Sequence, residues 1–211
     1  MFKFYDFIRD MGLPVPEHIS PENSCLIQHR YLKERYQIEE SSKERIFHYL
    51  TSNVLKRQNF GDVGDAQAVI AFSFGDSDCV NQHLAKHVAL FYHLNPLAFC
   101  YVQQEIAKHL HQTPYVPIKN DLYQTTADVA KKAREDLGKV KVAVVAQSWH
   151  AQRCIETCES LGFTVVALKV SDGFPSQDPQ PWVRNPINWI IKESHREVAT
   201  GYEVSEQFNL I

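Results

Sequence analysis

Glycine is scarce in this chain, at eight residues in 211, and the phosphate chemistry that needs glycine is missing with it. There is no G-x-G-x-x-G and no Walker pattern, so neither standard nucleotide cradle is present. Positive charge is not in excess either. Lys and Arg number 22 against 25 Asp and Glu, a net charge of −3, which excludes the basic footprint of a nucleic-acid binder and the polybasic patch of a membrane-surface protein. No apolar run approaches the ~18–20 residues that span a bilayer, and Asp6 and Asp10 break up the opening MFKFYDFIRDMG where a secretory segment would be apolar. A cytoplasmic protein is the expectation. The five cysteines are scattered and form no C-x-x-C pair, which excludes a zinc ribbon and a dithiol redox motif. His83 and His87 have the i, i+4 spacing of metal ligands, but Leu84 stands where a metalloprotease helix has its Glu, so no metal is expected.

What is present is an α/β pattern. Val142-Ala143-Val144-Val145-Ala146 is a continuous apolar run, short and Val-rich, as in a strand covered on both faces of a parallel sheet. After Gln147, Ser148 is a candidate helix N-cap. Ala151, Cys154, Ile155, Cys158 and Leu161 follow at helical spacing, and Gly162 stands where a left-handed cap residue belongs. The run Phe163 to Val170 completes a β-α-β unit, and Cys154 and Cys158 read as small core residues.

The same grammar recurs upstream. Ala66 to Phe74 predicts a strand ending in the turn Ser73-Phe74-Gly75-Asp76. Asp78 to His93 predicts a helix with Val80, Leu84, Val88 and Phe91 inward. Leu97 to Val102 predicts a second strand that delivers Gln103 and Gln104 to its carboxyl end, and a helix runs on to His111. Tyr115 to Ile118 is a third strand. Asp121 to Gly138 contains a helix capped by Thr125 or Thr126, with Asp128 in its first turn, where the helix dipole favours a carboxylate. Pro175, Pro179 and Pro181 mark a long loop that could wall a site. Asn185-Pro186 then opens the last helix, whose inward residues are Ile187, Ile190, Ile191 and Val198.

The expected architecture is a Rossmann-like, mostly parallel sheet of about five strands flanked by helices over residues 66–211. Residues 1–65 form a helical extension packing on that body. In such sheets ligands bind beyond the carboxyl ends of the strands, where helix N-termini offer N–H groups. Gln147, Ser148, His150 and Arg153 stand at that point, His150 and Arg153 neighbouring each other on the helix surface.

Two blocks together resemble a known family. Asp121-Leu-Tyr-Gln-Thr-Thr-Ala-Asp-Val-Ala130 and Val145-Ala-Gln-Ser-Trp-His-Ala-Gln-Arg153 are similar to the YdcF/SanA/ElyC family. Its members pair a Thr- and acid-containing helix start with a strand leading into a His-x-x-Arg turn. Thr126 and Asp128 match the first pattern, and Gln147, His150 and Arg153 the second. Trp189 and Arg196-Glu197 resemble the family's carboxyl end. The turns after the first two strands are less glycine-rich here, Ala146 stands where Thr is frequent, and soluble YdcF-like members are the closer likeness. The resemblance implies a Rossmann-like fold with a polar cleft and, for YdcF-like proteins, a link to S-adenosylmethionine.

The leading expectation is a small-molecule-binding protein with a nucleotide-like, phosphorylated or carboxylate ligand. Arg153 would clamp the anion, with Ser73, Gly75, Asp76, Gln103, Thr125, Thr126, Gln147 and Ser148 around it. His150 and Asp128 are the candidate catalytic pair if the protein is a hydrolase or transferase, with Asp76 as the other acid. A non-catalytic interaction protein with a decayed cleft is the third reading. Nothing in the sequence indicates an oligomeric state.

Overall fold

The computed structural model describes residues 4–15, 29–118 and 124–210. The stretch from Asp121 to Tyr123, part of the sequence reading above, lies outside them. In chain order the elements are α1 (Phe4–Asp10), α2 (Lys33–Tyr36), α3 (Glu40–Ser52), β1 (Ala68–Ala71), α4 (Asp78–Leu94), β2 (Phe99–Gln103), α5 (Gln104–Ala107), β3 (Val116–Ile118), α6 (Thr126–Leu137), β4 (Lys141–Gln147), α7 (Ala151–Ser160), β5 (Thr164–Ser171), α8 (Pro186–Ser194) and α9 (Gly201–Gln207). They gather into two compact units. One is Val54–Gly173; the other joins Met1–Asn53 to Phe174–Ile211. The unit with the sheet thus begins before residue 66, and the C-terminal helices belong to the unit of α1–α3.

In the 54–173 unit five strands lie in the order β3-β2-β1-β4-β5, every neighbouring pair parallel. This is the expected α/β architecture. Residues alternate between the two faces of a strand. On one face Ile70, Phe72, Tyr101, Val144 and Leu168 meet Val129, Ala130 and Ala133 of α6 and Ala151, Cys154 and Cys158 of α7. Burial pushes the Cys158 thiol up to about 12, so this cysteine acts as a core residue. The apolar stripe of α4, Val80, Leu84, Val88 and Phe91, is buried as expected. The chain winds outward from β1 through β2 to β3, then returns to β4 on β1's other side. That reversal opens the crevice typical of doubly wound sheets between the carboxyl ends of β1 and β4.

Two glycines shape this unit. Gly162 has φ +88°; its N–H donates to the Glu159 carbonyl and that of Phe163 to the Cys158 carbonyl, the paired bonds of a Schellman end. Gly61 has φ +69°, and a Cβ there would stand 2.0 Å from the Val166 carbonyl oxygen. Only glycine lets the segment before β1 press onto the free edge of β5, where Phe60 exchanges backbone hydrogen bonds with Leu168 and Asn59 accepts from Val170. The edge is therefore covered.

The other unit is built on aromatics. Phe7 meets Tyr31 edge-on and Tyr31 stacks on Tyr36, with centroids 5.2 and 5.7 Å apart. Tyr31 donates to the Asp10 carboxylate. Asn185 caps α8 by accepting from Asn188, with Pro186 in the first turn, as the sequence predicts. Helix α8 stops at Ser194, so Arg196 and Glu197 lie beyond it, and Val198 is exposed rather than on its buried face. A further helix, α9, follows. Its capping box of Thr200 and Glu203 is legible in the sequence but was not read there.

Candidate functional site

Three segments of the 54–173 unit converge on His150. Its ring lies 6.3 Å, centroid to centroid, from those of both Phe72 and Phe74 at the end of β1. Its Nε2 is 3.1 Å from Thr126 Oγ1 at the start of α6 and 2.8 Å from Arg153 Nη2, one turn into α7. A guanidinium has donors only, so Nε2 accepts from Arg153 and the ring proton sits on Nδ1 in this arrangement. His150 is buried, while Thr126 and Arg153 are half-buried. Of the eleven sequence-predicted site residues, these three form one polar cluster, at the β1/β4 crevice.

The others hold loops in place. Ser148 does not cap α7: its hydroxyl donates to Asp172 at 2.6 Å, and the cap position falls at His150 with no side-chain bond. Gln147, fully buried, does the capping work instead. Its Oε1 accepts from the Trp149 N–H at 2.6 Å and the His150 N–H at 3.2 Å, and its Nε2 donates to the Gly173 carbonyl at 3.0 Å. The amides at the start of this turn are thus engaged by the protein itself.

The turn after β1 is braced in the same way. Gln103 Oε1 accepts from the Ser73 N–H at 3.0 Å. Asn81, which the sequence reading passed over, accepts from the Phe74 N–H and donates to the carbonyls of Gly75 and Ser77. A polar residue between Val80 and Leu84, buried on the inner face of α4, was the available signal. Gly75 has φ +69°, so the turn uses its one glycine for shape. Asp76 is exposed, and its carbonyl faces Lys108 Nζ at 3.4 Å.

Thr125, rather than Thr126, caps α6. Its hydroxyl accepts from the Asp128 N–H, and Asp128 Oδ2 accepts from the Thr125 N–H at 3.0 Å and hydroxyl at 2.7 Å. This is a closed capping box. The Thr125 hydroxyl, then its N–H, hold the Asp128 carboxyl below its ordinary range. Asp128 is therefore an ionised structural acceptor, with its Oδ2 engaged in the cap. Of the two histidines with metal-ligand spacing, His87 has its Nε2 3.1 Å from the Val170 carbonyl, and burial lowers its basicity.

No family model matches this chain, and neither any curated protein nor any solved structure is significantly similar to it.

Proposed function

We propose that this protein binds a small molecule through an anionic group, phosphate or carboxylate, held over the Thr126–His150–Arg153 cluster. A nucleotide-like or S-adenosylmethionine-type ligand is the class intended, in a cytoplasmic, YdcF-like protein. The observation that carries the reading is the meeting of a hydroxyl, an imidazole and a guanidinium at the crevice where a doubly wound sheet takes its ligands. Arg153 presents the forked donor set that suits a carboxylate or phosphate. An anion that draws the guanidinium toward itself would leave His150 Nε2 paired with the Thr126 hydroxyl, the two facing the ligand together. The braced turns on either side, closed by Gln103, Asn81 and Gln147, keep the crevice in shape before the ligand arrives.

The test is a thermal-shift panel of S-adenosylmethionine, nucleotides, sugar phosphates and divalent metals on wild type and Arg153→Ala. A ligand at a hundred times its Kd stabilises by ~2.7 kcal/mol, and each kcal/mol moves a domain of this size by roughly 2–4 °C. A wild-type shift that disappears in Arg153→Ala supports the reading. A shift that survives unchanged in that variant sinks it.

The hydrolase or transferase reading comes second, and one distance favours it. A threonine hydroxyl 3.1 Å from an imidazole nitrogen has the reach of a hydroxyl paired with a general base. Loss of turnover in His150→Ala, with ligand binding retained, would promote it over simple binding.

A further inference from the structure

We infer that the protein forms a two-fold symmetric dimer through the amino-end face of its sheet, around Leu97. This rests on nothing in the ligand-binding proposal. Helix α4 carries a second apolar stripe besides its buried one. Leu90 and Leu94, one turn apart on the outward side, are 52% and 56% exposed. The chain then turns into β2 through Leu97, 97% exposed, and Phe99, 57% exposed. The sequence reading placed Leu97 within the strand. The strand begins at Phe99, which leaves Leu97 standing out from the turn.

Beside that knob lies a hole. A groove of about 670 Å³ is lined by Leu94, Pro96, Leu97, Phe99, Leu137 and Val140 among others. Among the described lining residues Asp136 is the sole charge, and Lys132 stands 3.9 Å from it. The groove lining itself is close to neutral, so it neither calls for a charged partner nor repels a copy of itself. A protruding side chain and an apolar groove on one face are what an isologous contact requires, each copy's knob entering the other's hole. The area agrees. Leu90, Leu94, Leu97 and Phe99 together expose on the order of 400–500 Å², about half of the ~800 Å² that each partner gives to a stable interface. Pro96, Leu137 and Val140 of the groove wall add to it.

The experiment is sedimentation velocity with light scattering on wild type, Leu97→Glu and Leu94→Glu, from about 1 to about 100 µM, the range in which ordinary dimers dissociate. Wild type is expected at twice the 24.3 kDa of one chain at the upper end. Both variants are expected at one chain mass, their dissociation constants at least tenfold weaker, with circular dichroism unchanged. A wild type that stays monomeric throughout overturns the proposal, and its co-sedimentation with phosphatidylcholine vesicles would then assign the face to a lipid surface. Dimers that persist in both variants overturn it equally.

Discussion

The two ends of the parallel sheet are made of opposite materials. At the carboxyl ends of β1, β2 and β4, the side chains of Asn81, Gln103 and Gln147 each close a turn with hydrogen bonds to backbone. At the amino end, Leu94, Leu97 and Phe99 stand in the open around a groove. A buried amide is tolerated only where its donors and acceptors are met, so the first end is held to one geometry and suits a site that must align a few groups. The second end loses free energy to water until something covers it. On the two readings proposed above, the difference would separate recognition of a small polar ligand from association.

The comparison predicts that polar side chains at the carboxyl end matter far more to stability than their type suggests. Gln147→Leu conserves bulk but strands the Trp149 N–H and the Gly173 carbonyl. It should cost about 3 kcal/mol and lower the melting temperature by roughly 6–12 °C, measured by calorimetry. A loss within ~0.5 kcal/mol, the range of ordinary surface changes, would show that the turn does not depend on its amide. Asn81→Leu should cost somewhat less, about 2 kcal/mol, because the turn it braces lies partly at the surface. Urea unfolding midpoints would read it. If Asn81→Leu also abolishes a ligand shift seen in wild type, the brace and the site are coupled; if the shift is kept, the brace is purely structural.

The sheet was legible because parallel strands covered on both faces read as short Val- and Ala-rich runs, and all five were found within a few residues of their ends. The β4-α7-β5 unit, with Gly162 as its stop, came out almost as read. The candidate cluster was legible in part. His-x-x-Arg at a strand-to-helix switch put His150 and Arg153 side by side, and Thr126 joined them across the crevice. Asn81 and Gln103 were not legible as braces, because an amide hydrogen-bonding a backbone seven residues or more away leaves no periodic trace. Ser148 misled for a related reason. A serine before a helix has the composition of a cap, but the competing acceptor, Asp172, lies 24 residues on. Leu97 was read into β2 because apolar residues beside a strand look like more strand. The pattern carries no sign of where the pairing starts.

The smallest effect concerns Asp128, and it tests whether that residue belongs to the cap or to the site. Thr125→Ala removes both hydrogen bonds of the hydroxyl, the one it accepts from the Asp128 N–H and the one it donates to Asp128 Oδ2, and should cost about 1 kcal/mol near neutrality. Within the box the Asp128 carboxyl is held below its ordinary value of 3.8, first by the Thr125 hydroxyl and then by its N–H. A carboxyl whose folded value is depressed adds stability that is present above the unfolded value. That stability is lost as pH falls through the lower, folded one. The gap between wild type and Asp128→Asn should therefore be steady from about pH 7 down to about pH 5 and close below about pH 3.8, followed by urea midpoints. A gap that widens on acidification would mean that protonated Asp128 is the stabilising form. As a cap residue Asp128 should be dispensable for the ligand: Asp128→Asn keeps a wild-type thermal shift that Arg153→Ala loses. If Asp128→Asn loses it as well, the carboxylate belongs to the polar cluster around His150, and the line between brace and site has to be moved one turn into α6.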